Sequence, residues 1–196
     1  MDATTDATAR VQTRRTVLMP MVNGDADDVV ALHRDPRVIR HVLDGIPDDL
    51  RKFAIYLAWA NGLRAVGQGV WTARHRDGGV FLGLFTLTPC ESRGDCLEFG
   101  GRLCRAGWHG DLAVEIAAAL IEHGFATLGM ARLVSVFHPD NRTAPVALAR
   151  LGFGHSRATT MFGTAAIEVS LGAPEWRADD LRQRRDQTTW KRRESH

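Results

Sequence analysis

The chain has 196 residues, 44% of them hydrophobic and 24% charged, with 25 basic and 23 acidic side chains and a formal charge of +2. That length suits one compact domain with tails. The composition excludes collagen-like sequence, coiled coil and general disorder, and so small a charge predicts no strong pull on nucleic acid.

The longest apolar run, Val114–Ile121, is broken by Glu115, so no membrane helix is expected. The first fifteen residues lack the apolar core of a secretory leader. Cys90, Cys96 and Cys104 match neither a zinc spacing nor a disulfide framework. They read as free thiols of a cytoplasmic protein.

The first dozen residues are polar and read as a flexible arm, placed at 1–13. Val17–Val22 is a candidate edge strand, confined to the edge by Pro20. Asn23-Gly24-Asp25 is turn chemistry, and a helix is expected over Ala26–Arg34. Asp35-Pro36 interrupts it, and a short helix with Val38, Ile39 and Val42 follows. Pro47-Asp48-Asp49 starts a third helix, expected to reach Gly62.

The period then changes. Gly69–His75 reads as a strand, Asp77-Gly78-Gly79 as a hairpin turn, and Val80–Thr88 as the second strand. Cys96–Cys104 is a third, whose Gly100-Gly101 pair suggests a bulge or the close approach of another backbone or a ligand. Alternation places Leu97 and Phe99 on one face and Cys96, Glu98 and Gly100 on the other.

Asp111–Met130 is the strongest helix, with nine apolar residues among the ten of LAVEIAAALI. The strand Leu133–Phe137 completes a βαβ unit, which demands parallel neighbours and a right-handed crossover. Asn141–Leu151 is a helix capped by Asp140 or Asn141, with Gly152 at its end. Strands over Gly154–Phe162 and Ala165–Leu171 close the domain. The charged tail from 178 to 196 includes RQRR and WKRR around Trp190, but acidic residues offset most of that charge, so no nucleic-acid partner is expected.

Six phrases in this order carry a family likeness: ADDVVALHRDPRVIRHVLDG, GVWTARHRDGGVFLGLFTL, LEFGGRL, WHGDLAVE, HPDNRTAPVALARLGF and VSLGAPEW. Together, from about Arg14 to Arg177, they resemble the GNAT acetyltransferases, in particular the RimJ/RimL-like branch. The resemblance implies an α/β (α+β) fold over 14–177: a mixed, mostly antiparallel twisted sheet with a central parallel βαβ unit and helices on both faces. It implies acetyl-CoA as cosubstrate and no metal. The acceptor would be a primary amine, on a protein N-terminus or a small molecule. Relatives of this kind are often homodimers, and the tail is available for that contact.

The resemblance also assigns residues. Trp108, His109, Gly110, Asp111, Leu112 and Ala113 match the loop that holds the CoA diphosphate at a helix N-terminus. Leu103 and Cys104 are backbone candidates for pantetheine. Asn141 matches a residue near the pantetheine arm, and Arg142 is placed for the 3′-phosphate. Glu98 matches the strand glutamate that takes the amine proton, directly or through water, or else lies on a solvent-facing strand side. Trp59 and Trp71 are candidate walls of the acceptor pocket.

Three departures stand out. Asp111 replaces the usual glycine, and a carboxylate ~4 Å from a phosphate costs about 1–4 kcal/mol. It either caps its helix or needs His109 or Arg105 to offset it. Leu148 stands where many members have a tyrosine, and Ala144 where a serine is common. These changes leave open a second reading, a GNAT-fold protein that binds or docks without acetylating.

Overall fold

The computed structural model describes residues 10–43, 46–90, 96–109 and 111–176. Gly110, in the expected cofactor loop, and the 178–196 tail lie outside the described residues, as do residues 1–9 of the arm.

The strands are β1 (Val11–Gln12), β2 (Thr16–Pro20), β3 (Gly69–His75), β4 (Phe81–Pro89), β5 (Leu97–Leu103), β6 (Arg132–Phe137), β7 (Gly154–Met161) and β8 (Thr164–Gly172). They form one sheet in the order β1-β2-β3-β4-β5-β6-β8-β7. Every neighbouring pair is antiparallel except β5 and β6.

The helices are α1 (Ala26–Arg34), α2 (Pro36–Ile39), α3 (Leu50–Arg64), α4 (Leu112–Glu122) and α5 (Ala144–Arg150). Short polar side chains set the starts of α2, α3 and α5. Asp35 Oδ1 accepts from Arg37 N at 3.0 Å and starts α2, while Asp49 Oδ1 accepts from Lys52 N at 2.7 Å and starts α3. Asn141 Oδ1 accepts from Thr143 N and Ala144 N, both at 3.1 Å. Asn141 therefore organises the turn into α5, whose first residue is Ala144, three positions later than expected.

The middle of the sheet is buried on both faces. Val70 and Leu84 pack with Val29, Leu32, Phe53 and Ala60 beneath α1 and α3. Trp71, Phe85, Leu97 and Phe99 pack on the other face against Ile116, Leu120 and Ile121 of α4 and Leu148 of α5. Each such fully buried side chain contributes about 1.5–3 kcal/mol. Arg74 fixes α1 to β3, since its Nη2 donates to Asp25 Oδ1 at 2.8 Å and to Asp28 Oδ2 at 2.6 Å.

Several details differ from expectation. Val11 and Gln12, read as part of the arm, pair with Leu18 and Val17. Glu115 secures them to α4, accepting from Thr13 Oγ1 at 2.5 Å and Arg15 Nε at 2.7 Å. β2 is thus an inner strand at Val17 and Leu18, and only past the β1 pairing does Pro20 stand at an edge. The long helix is α-helical only to Glu122 and then widens into a π-turn, His123–Thr127.

Gly100 and Gly101 form no bulge; they pair in register with Thr86 and Phe85. Close approach explains them, because a Cβ at Gly100 would lie 2.6 Å from Thr86 Oγ1 and one at Gly101 would lie 2.8 Å from Phe85 Cε1. The cysteine expectation is also corrected. Cys90 and Cys96 form a disulfide across the neck of the β4–β5 hairpin, with Cα atoms 5.9 Å apart, and only Cys104 is a free thiol. The register of the hairpin, not a recognisable spacing, brings the two sulfurs together.

Candidate active site

β5 and β6 share two paired positions, Leu97 with Leu133 and Glu98 with Val134. Beyond them β5 runs on to Leu103 paired only with β4, and β6 runs to Phe137 paired only with β8. The two parallel strands therefore part halfway along. In the β4–β5 ladder Cys104 N donates to Leu82 O at 2.9 Å, so Cys104 faces β4. Antiparallel alternation then turns the N–H and C=O groups of Phe99, Gly101 and Leu103 toward the gap. Gly101 is exposed although it lies inside the sheet.

This geometry sorts the two backbone candidates. Leu103 faces the gap, but its carbonyl accepts from Trp108 Nε1 at 2.9 Å. Cys104 does not face the gap: its N–H is committed to β4 and its thiol donates to Phe81 O at 3.2 Å. Trp108 stands at the end of the gap, with the Arg37 guanidinium of α2 6.0 Å from its ring centre.

The N-terminus of α4 opens at the same end. Leu112 is buried, Ala113 is half-buried and His109 is exposed. Asp111 holds the N-cap position, its carbonyl accepting from Glu115 N at 2.9 Å, but its carboxylate makes no capping bond. Instead Oδ1 accepts from Arg150 Nη2 at 2.7 Å. Asp111 is thus the N-cap residue of α4, as expected, through its carbonyl and not its carboxylate, and Arg150 of α5, rather than His109 or Arg105, pairs with that carboxylate. Asn141 stands beyond the far end of β6, and Arg142 beside it is exposed.

On β5 the side chains of Leu97 and Phe99 enter the α4 core, so Glu98 points to the α1 face, where it is half-buried. Arg102, two pleats further on, marks the same face, since its Nη1 donates to Nε2 of the fully buried His33 at 3.3 Å. His33 Nδ1 lies 2.8 Å from Val29 O, which can only accept, so Nδ1 carries the ring proton. At the end of β6, His138 stacks on His41 with ring centres 5.7 Å apart. Nothing in the sequence marks Arg102, His41 or His138, because each is recognised only by a neighbour distant in the chain.

The aromatic expectations divide. Trp59 is 47% exposed and stacks on Tyr56. Trp71 is 2% exposed and lies in the α4-side core, and it also borders a small cavity with Met21, Ala60 and Val70. Leu148 is buried in that same core and offers no proton. An open groove of about 560 Å³ beside α1 is lined by Asp27, Val30, Arg34, Asp35 and Leu50, and by no residue of β5 or β6. Among the described residues no three His, Cys, Asp or Glu side chains gather as a metal site, and no helix is long and apolar enough to cross a membrane.

A mixed sheet that splits between two parallel strands, beside a crossover helix whose N-cap carboxylate makes no capping bond, defines an acyltransferase-type fold. The chain belongs to the GNAT acetyltransferase family, whose domain model matches residues 15–154. A relative in Bacillus subtilis, the uncharacterized N-acetyltransferase YoaA, is 21% identical over 147 residues, covering 73% of this chain and 81% of its own. An acetyltransferase from Agrobacterium tumefaciens superposes with a TM-score of 0.70 at 22% identity, over 83% of this chain and 93% of that one. Mycobacterium smegmatis RimJ, solved in complex with CoA-disulfide, superposes with a TM-score of 0.69 at 15% identity, over 82% and 83% of the two chains.

Proposed function

We propose that the protein transfers an acetyl group from acetyl-CoA to a primary amine, on a small molecule or a protein N-terminus. The observation that carries this reading is the parting of β5 and β6 after Glu98 and Val134, with the backbone groups of Phe99, Gly101 and Leu103 turned into the gap.

The residues fit the cosubstrate. An extended pantetheine arm has amides that can pair with the exposed β5 edge as a strand would. The first N–H groups of α4, which the Asp111 side chain does not cap, stand at the positive end of the helix dipole and suit a diphosphate. Acetyl-CoA, when bound, supplies an activated thioester carbonyl.

The chain's own part is positioning and proton handling. The amine approaches from the α1 face, where Glu98 is placed to take its proton, directly or through one water. An amine that must lose its proton to attack gains from a carboxylate held in a half-buried site. Arg102 and its His33 support hold the wall beside it. With Leu148 and Ala144 lacking hydroxyls, the departing thiolate takes its proton from water.

Asp111, Ala144 and Leu148 favour the second reading, a retained GNAT fold that serves as a binding or interaction module without acetylating. Incubation with acetyl-CoA and a panel of amines, with release of free CoA thiol as readout, separates the two. Glu98-dependent thiol release above hydrolysis supports transfer. No release on any amine, with no CoA binding at millimolar ligand by calorimetry, supports the second reading.

A further inference from the structure

We propose that Arg150 is a diphosphate-binding residue and that Asp111 is the residue that positions it. The inference rests on the acetyl-CoA reading above and extends it to a side chain on a different helix.

A carboxylate at an N-cap ordinarily accepts from the N–H groups one turn into its own helix. Asp111 does not; its carboxylate turns outward to Arg150 Nη2 at 2.7 Å. Those first N–H groups of α4 are therefore left without a side-chain cap, as an incoming anion needs them. Arg150 is the last residue of α5, and the buried Leu148 and Leu151 fix that end of α5 in the core shared with α4. The guanidinium is thereby carried to the start of α4.

Guanidinium offers five N–H donors in a fixed fork. Asp111 takes one, and Nε and Nη1 have no acceptor among the described residues. A fork with open donors beside a helix N-terminus is chemistry for a phosphate oxyanion. The pair also removes the objection raised by Asp111. The carboxylate that would repel phosphate is spent on orienting a cation toward it. Without Arg150 the loop would present a bare negative charge to the ligand.

The test is calorimetric titration of the full chain at fixed ionic strength with CoA, 3′-dephospho-CoA and pantetheine. The proteins are wild type, Arg150→Gln, Asp111→Asn and the double variant. In Arg150→Gln, affinity for CoA falls about ten- to a hundredfold, affinity for 3′-dephospho-CoA falls by the same factor, and pantetheine is unaffected. The same substitution costs less in the Asp111→Asn background, where no carboxylate is exposed by it. Thermal unfolding of the unliganded variants stays close to wild type, as expected for a half-exposed pair.

Unchanged CoA affinity in Arg150→Gln overturns the proposal. So does a loss seen with CoA but not with 3′-dephospho-CoA, which would assign Arg150 to the 3′-phosphate. A matching loss of pantetheine binding would show a structural disturbance instead and also overturns it. If wild type binds no CoA at millimolar concentration, the acetyl-CoA reading fails, and the inference with it; if wild type binds and the variant matches it, only the inference fails.

Discussion

Glu98 and Val134 are the last residues at which β5 and β6 face each other across a shared ladder. One residue therefore marks both the point where the sheet opens and the only carboxylate proposed for proton transfer. A general base there is useful only because the thioester and the amine would meet where the strands part.

Glu98→Gln removes the base while keeping shape and hydrogen-bonding capacity. Acetyl transfer falls about 10²- to 10⁴-fold in kcat. CoA affinity, measured by calorimetry, stays within about twofold, because Glu98 points to the α1 face, away from the helix N-terminus. A matching loss of CoA affinity would place Glu98 in binding rather than in catalysis.

Glu115 ties the N-terminal strand to α4. Its side chain is 8% exposed. Burial pushes its carboxyl up, but bonds from Thr13 Oγ1, the Arg15 backbone N–H and the Arg15 side chain outweigh this and hold it below the ordinary carboxylate value. A carboxyl depressed in the folded state stabilises the fold above its unfolded pKa, about 4.3. That contribution is lost as pH falls through the lower, folded value. Glu115→Gln therefore costs about 2 kcal/mol at pH 7 and lowers Tm by about 4–8 °C. The difference from wild type shrinks in acid unfolding below pH ~4. A constant difference from pH 7 down to pH ~3 would contradict this.

Gly101→Val forces a side chain against the Phe85 ring, which already stands 2.8 Å from the position of a Cβ. The strain costs about 1–3 kcal/mol in urea unfolding. It also shifts the β5 edge that faces the gap, so CoA affinity falls more than in a destabilised control such as Val29→Ala, which lies in the other core.

The disulfide is read out by alkylation. Unfolded without reductant, the chain takes up one alkyl group, at Cys104; after reduction it takes up three. Three without reductant would restore the free-thiol expectation.

Local chemistry carried much of this fold into the sequence. Gly69–His75 forms a strand over the residues that its composition marks, and α3 begins directly after Pro47-Asp48-Asp49, the phrase expected to start it. The parallel crossover followed from a strand, a long helix and a strand within forty residues. What escaped depends on partners far along the chain. Arg150 meets Asp111 across 39 residues, and no spacing rule connects them. Trp71 looks like an acceptor-pocket wall until the pleat of β3 turns it into the α4 core. The face of Glu98 could be assigned only once Leu97 and Phe99 were seen beneath α4.

The central claim is that the opened edge of β5 is the cosubstrate slot. Amide hydrogen exchange of the protein with and without CoA tests it most directly. The account predicts that CoA slows exchange at Gly101 and at the first N–H groups of α4, and leaves the β7–β8 hairpin unchanged. CoA binding that protects other segments while Gly101 exchanges as before would contradict it.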